Sequence, residues 1–260
     1  KKERKHVLRM MKELCNVVER HAKKHRELLA EEWMNTELSE GQKTQILKRI
    51  DSILEQLPAA KNQAHERIIG ERQVRNDDKV LSLYESDIHV IVRGKAGAQV
   101  EFGNTLYMAE QQDGLIVDWK LYRDSAPQDA RCLPESLERM KSMYAGYVPR
   151  SLTGDRGFFS KKNQLLLKEE NINDYLCPRP VAEFKERFEN ADFAKHQKRR
   201  AQTEGRIGIL KNNFLETSSR CKGFENRERD VAWGILAHNL WVLCRRPQAE
   251  QRQEPRLRAA

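Results

Sequence analysis

QVEFGNTLYMAEQQDGLIVDWKLY, residues 99–122, reads as two strands about a turn. Both flanks are rich in β-branched and aromatic residues, and the Gln-Gln-Asp-Gly between them supplies a glycine where a tight turn needs one. Upstream, KVLSLYE (79–85) and IHVIVR (88–93) have the same composition, and GKAG (94–97) reads as the turn that precedes the hairpin. Downstream, the pattern alternates. A helix is expected over roughly Pro134–Tyr144, then a short strand at Pro149–Thr153 ending in GDRGF (154–158). Lys161–Glu169 reads as helix, INDYLCP (172–178) as a buried strand, the basic stretch to about Leu215 as helix, and 228–246 as a last helix. Antiparallel strands followed by alternating helices and strands predict an α/β fold with a mixed sheet flanked by helices.

Residues 1–75 follow another rule. Val7, Met10, Met11, Leu14, Val17 and Val18 recur at spacings of three and four, the signature of a helix with one apolar face. Ser39 and Gln42 have the form of a capping box before a second helix, Lys43–Leu57, with Ile46, Ile50, Ile53 and Leu54 as its stripe. Pro58 is expected to stop it, with further helix over 60–72. The expected organisation is a helical hairpin or bundle at 1–75, a sheet-based domain at 78–246 and a loose polar tail at 247–260.

Composition narrows the partners. The chain is 33% charged and 38% hydrophobic, with a net charge of +9 and a pI near 9.3. That balance favours a polyanion, most often nucleic acid. Cysteines 15, 132, 177, 221 and 244 form no CxxC pair, so free thiols in a reducing cytoplasm fit better than zinc or disulfides. No apolar run approaches the roughly 20 residues of a membrane span, and no secretory signal opens the sequence. His238, Trp119, Trp233, Trp241 and Cys177 read as core residues.

Two acids stand out. Asp155, in GDRGF, follows a strand and is flanked by glycines that let backbone approach a ligand. A carboxylate at a strand's C-terminal end is a common metal-ligand position in open α/β sheets, although an Asx turn would also explain it. Glu204 is the single acid in KRRAQTEGRIGILKNNF, residues 198–214. At about 100° per residue, Gln197, Arg200, Glu204 and Lys211 fall within about 60° of one another on a helix, with Ile207 and Phe214 at the edge to seat it. A carboxylate aligned with Arg and Lys suits a cation beside a phosphate, and a row of surface ion pairs is the plainer alternative.

From Asp78 to about Arg246 the chain resembles insertion-sequence DDE transposases. GDRGF resembles the motif around the second aspartate of that family, which falls on Asp155. RRAQTEGRIGILKNNF resembles its Tyr-(2)-Arg-(3)-Glu-(6)-Lys signature, with Arg200, Glu204 and Lys211 at the right spacing and Gln197 where Tyr is usual. RGKAGAQVEFG (93–103) and GFENRERDVAWGILAHNLWVL (223–243) are also similar. The resemblance implies a ribonuclease-H-like fold with an N-terminal helical insertion between the first and second strands. It also implies metal-dependent DNA cleavage and strand transfer by two Mg²⁺ ions, with Mn²⁺ able to substitute. Asp155 and Glu204 would be catalytic metal ligands, and Arg156, Arg200 and Lys211 would contact DNA. The partners implied are double-stranded DNA, as transposon ends and target, and further copies of the chain in an active oligomer, in the bacterial cytoplasm at the nucleoid.

The family's first aspartate has no evident match. Either it lies upstream of Lys1, which makes this a C-terminal portion unable to cleave DNA unaided, or Asp87 or Asp118 takes its place. A DNA-binding regulator derived from a transposase, another ribonuclease-H-like nuclease and a purely helical interaction module are the alternatives.

Overall fold

The structure, a computed structural model, describes residues 2–95, 98–215 and 219–257. The chain divides into two compact units, Lys1–Asn104 and Thr105–Ala260.

The first unit opens with two long helices, α1 (Lys2–Glu32) and α2 (Glu40–Ile68). They pack antiparallel. Leu8 and Leu57 are buried, Lys61 reaches Asn16 and Glu19, Lys12 meets His65, and Arg26 pairs with Asp51. The capping box forms as expected, with Ser39 accepting from the Gln42 N–H. Pro58 does not stop α2, which runs ten residues further to Ile68 and absorbs the expected third helix. Packing against α1 outweighs the backbone bond the proline removes. Residues 79–85, expected as a strand, form none. The unit closes with β1 (His89–Lys95) and β2 (Ala98–Gly103), paired antiparallel.

The chain turns over at Gly103, so the expected 99–110 strand is two strands. β2 pairs backward with β1, and β3 (Leu106–Glu110) pairs forward with β4 (Ile116–Leu121). The β3–β4 turn ends on Gly114 at φ 94°, a conformation that side chains other than glycine rarely adopt. α3 (Asp129–Met143) begins earlier than expected and carries Pro134 within it. β5 (Ser151–Gly154), α4 (Lys161–Glu169) and β6 (Asn173–Leu176) follow, with β5 and β6 parallel. The basic stretch divides into α5 (Val181–Phe188) and α6 (Ala191–Asn213), with Asn190 capping α6 by accepting from Asp192 and Phe193. α7 (Phe224–Leu257) is longer than expected and continues as helix past Pro247, where the sequence predicts a loose tail; residues 258–260 lie outside the described residues.

Mixed helix and strand content agrees with an α/β domain. The expected single sheet is not seen: among the described residues the strands form three separate pairs, two antiparallel and one parallel. Two apolar clusters hold the second unit. One joins β4 to α6 and α7 through Ile116, Leu121, Leu210, Phe224, Val231 and Ile235. The other joins α3, α4 and β6 through Leu133, Leu137, Leu167 and Leu176. Asn239 binds both the N–H and the carbonyl of Ile116, which fastens α7 to β4. His238 and Cys177 are buried as expected. Trp233 is not: it is 69% exposed, on the solvent side of α7.

Candidate active site

The turn after β5 is built from its sequence. Asp155 Oδ1 accepts from the Gly157 N–H at 2.8 Å, an Asx turn that aims the chain away from the strand. Ser160 caps α4 by accepting from Asn163, and the buried Asn163 amide donates to the carbonyls of Phe158 and Ala130. Arg179 donates to the Arg156 carbonyl at 3.1 Å. The turn is thus held on three sides while the Asp155 and Arg156 side chains stay exposed.

Asp155, Arg156 and Gly157 form one wall of a cleft of about 470 Å³. α6 contributes Gln197, Lys198 and Arg200 opposite, and Phe184 and Phe188 of α5 add an apolar side. The helix is fixed there by contacts along its length. Gln197, buried, donates to the Tyr175 carbonyl at 2.7 Å. His196 stacks on Tyr175 and lies 3.3 Å from the Thr153 hydroxyl. Further along, Thr203 donates to Glu110 of β3 at 2.8 Å, Arg206 lies 3.6 Å from the same carboxylate, and Arg199 donates to the Gln112 carbonyl. α6 therefore touches β3, β5 and β6 in turn.

Arg200 is the link between the two acids read from sequence. It lines the cleft that holds Asp155, and its guanidinium is 3.8 Å from Glu204. Its Nε is buried with no hydrogen-bond partner. Glu204, one turn further on, is 76% exposed, and Lys211 is exposed beyond it. The four residues that share one face by spacing thus grade from a buried Gln197 to solvent. Thr203 and Arg206 lie about 100° and 160° around the helix from Glu204, so they take the inward direction in that turn while Glu204 faces water.

Asp129, the first residue of α3, was not singled out by sequence. A Cβ added to Gly157 would collide with its carboxylate, and burial, then the charge of Asp155, pushes its carboxyl above the ordinary range. An aspartate opening a helix looks like an ordinary first-turn acid. Only the fold shows that it faces a second carboxylate.

Asp118 does not serve as the missing carboxylate. It is 2% exposed on its side chain, takes two hydrogen bonds from Arg139 at 2.9 and 2.7 Å, and accepts from Ser136 at 2.6 Å. Its oxygens are committed inside the protein. Asp87 lies in the other unit, where its carbonyl accepts from Asn104.

Residues 108–240, just over half of the chain, match the family model of the Transposase DDE domain. The chain belongs to that family, whose members act on DNA with divalent metal ions. No curated protein and no solved structure matches it. No helix among the described residues is long and apolar enough to cross a membrane.

Proposed function

We propose that this chain is the catalytic portion of an insertion-sequence transposase, acting in metal-dependent DNA cleavage and strand transfer, and that Asp155 and Glu204 supply two of its metal-binding carboxylates. The observation that carries the reading is Arg200, which lines the Asp155 cleft while paired with Glu204. The donor chemistry fits a hard divalent cation: Asp155 has no basic partner among the described residues, and Asp129 adds a second, partly desolvated negative charge. When bound, such cations activate the attacking oxygen and stabilise the leaving one in an in-line displacement at phosphorus.

The chain's own residues do the rest. Arg156, Lys198 and Arg200 offer donors for phosphate oxygens around the cleft, and Lys211 extends that basic line along α6. Gln197, where the family pattern has Tyr, does not reach outward, because its amide is spent on β6. Contacts from α6 to Glu110, Thr153 and Tyr175 support a ribonuclease-H-like reading, with β3–β4 and β5–β6 as two parts of one mixed sheet.

One observation favours the second reading, a transposase-derived DNA-binding protein without catalysis. Among the described residues, no three His, Cys, Asp or Glu side chains converge as a metal site.

The test is Mn²⁺ binding to the purified chain, followed by titration calorimetry, beside nicking of supercoiled DNA in Mg²⁺. The expected result is that Asp155→Asn and Glu204→Gln each weaken Mn²⁺ binding about tenfold or more while DNA affinity holds. Arg200→Ala and Lys211→Ala should each weaken DNA binding and lower the salt slope by about 1. Unchanged Mn²⁺ binding in both acid variants would sink the site. Nicking that Asp155→Asn abolishes would eliminate the non-catalytic reading.

A further inference from the structure

The apolar stripe of α1 takes no part in the Asp155 cleft or in the packing on α2. The face that packs on α2 carries Leu8, Cys15, Glu19 and Arg26, whereas Val7, Met10, Leu14, Val17, Val18 and Leu28 lie on another face and are 39–63% exposed. At about 100° per residue, those six fall within an arc of about 100°, well away from the α2 side. A stripe of this width facing water is unusual in a helix 31 residues long. Its central part repeats every three and four residues from Val7 to Val17, the spacing of a coiled-coil seam.

We infer that α1 is a self-association surface, which pairs antiparallel with α1 of a second copy of this chain. The charges beside the stripe select both the partner and the direction. Glu13 and Arg20 flank it on one edge, seven residues apart, exposed and unpaired among the described residues. Met11 and Val18 flank the other edge. Across an antiparallel two-fold centred between Leu14 and Val17, Leu14 packs on Val17 of the partner subunit. Glu13 then meets Arg20 of the partner subunit, and Arg20 meets Glu13 of the partner subunit. On the other edge Met11 meets Val18 of the partner subunit. Every contact is repeated by the symmetry, as an isologous interface requires. Further out, His21 covers Met10 of the partner subunit, and the Lys24 stem lies along Val7 of the partner subunit with its ammonium in water. A parallel pair fails on the same residues, because Glu13 would face Val18 and Arg20 would face His25.

The experiment is sedimentation equilibrium of the full chain in low salt, with circular dichroism to verify that each variant is folded. The altered side chains, Glu13, Leu14 and Arg20, are all exposed, so the hairpin core is untouched. The wild type is expected to dimerise, and Leu14→Glu to weaken the dimer by more than about a hundredfold, since it places two charges in the seam. Glu13→Arg and Arg20→Glu alone should each weaken it about tenfold, by turning two attractive pairs into repulsive ones. The double variant, Glu13→Arg with Arg20→Glu, should restore wild-type affinity. A monomer at all concentrations overturns the inference, as would happen if the stripe docks within its own chain. A dimer indifferent to Leu14→Glu overturns it too, and weakening by the single charge variants without rescue in the double rules out the antiparallel arrangement. None of these residues belongs to the Asp155 cleft, so metal binding there and dimerisation here fail or succeed separately.

Discussion

Two aspartates of the second unit, Asp118 and Asp155, are candidate carboxylates by sequence, and folding treats them in opposite ways. Asp118 ends up among β4 and α3 with a guanidinium and a hydroxyl already on its oxygens. Asp155 ends up at the rim of a cleft with one backbone N–H on its carboxylate and an acid, Asp129, nearby. The first region is electrically closed and adds to stability. The second carries uncompensated negative charge beside a row of bases, and a group that attracts a cation must be left that way. The difference separates structural from functional acids better than their flanking residues do.

The largest effect is expected at Asp118. Asp118→Ala leaves the Arg139 guanidinium, only 27% exposed, with just the more distant Glu135 carboxylate at 3.8 Å, and should destabilise the unit by about 3–5 kcal/mol. At roughly 2–4 °C per kcal/mol for a chain of this size, the melting temperature should fall by more than about 6 °C. Asp155→Asn should shift it by less than about 2 °C, because the amide oxygen can still accept from the Gly157 N–H. Thermal melts of the two variants side by side are enough. Equal losses would mean that Asp155 is as structural as Asp118.

The contact between Asp129 and Gly157 sharpens the same contrast. Gly157→Ala drives a methyl group into the Asp129 carboxylate and should cost about 1–3 kcal/mol. Asp129→Ala alone should be close to neutral at pH 7, because folding already disfavours the ionised form of this acid beside Asp155. In the double variant the clash is gone, so urea melts should give a coupling of about 1 kcal/mol or more. Additive losses would show that Gly157 is needed for its backbone and not for the space Asp129 fills.

Much of this was legible beforehand, and the boundary of legibility has physical causes. GDRGF and the Arg200–Glu204–Lys211 spacing pointed to the acids and bases because local chemistry fixes them. Residues 79–85 misled because an apolar run with a valine and a tyrosine records the ability to fill a strand, and a strand also needs a partner. Pro58 and Pro134 misled because a long helix packed along its length tolerates one missing bond. Trp233 misled because α7 turns that position to water, which aromatic identity cannot reveal. Asp129 and the closed state of Asp118 depend on neighbours distant in the chain, Gly157 and Arg139, and no spacing rule reaches them.

The smallest effect belongs to His196, which joins the two regions' logic at one side chain. It stacks on Tyr175 with ring centroids 4.0 Å apart and sits beside the Thr153 hydroxyl, on the strand that leads to Asp155. Burial, with Lys195 and Arg199 adding to it and Asp192 opposing, holds its imidazole below the ordinary range. The folded protein therefore binds this proton less readily than the unfolded chain does. Its contribution to stability is complete above the ordinary histidine range, near 6.5, and is lost as pH falls from there toward the lowered folded value. Melts at pH 7.5 and 5.5 should show a drop in the wild type that His196→Gln reduces, by no more than about 2–4 °C. An identical drop in both proteins would place the acid sensitivity elsewhere. A reduced drop would mean that protonation of His196, packed between Tyr175 and the strand that leads to Asp155, costs the fold part of its acid stability.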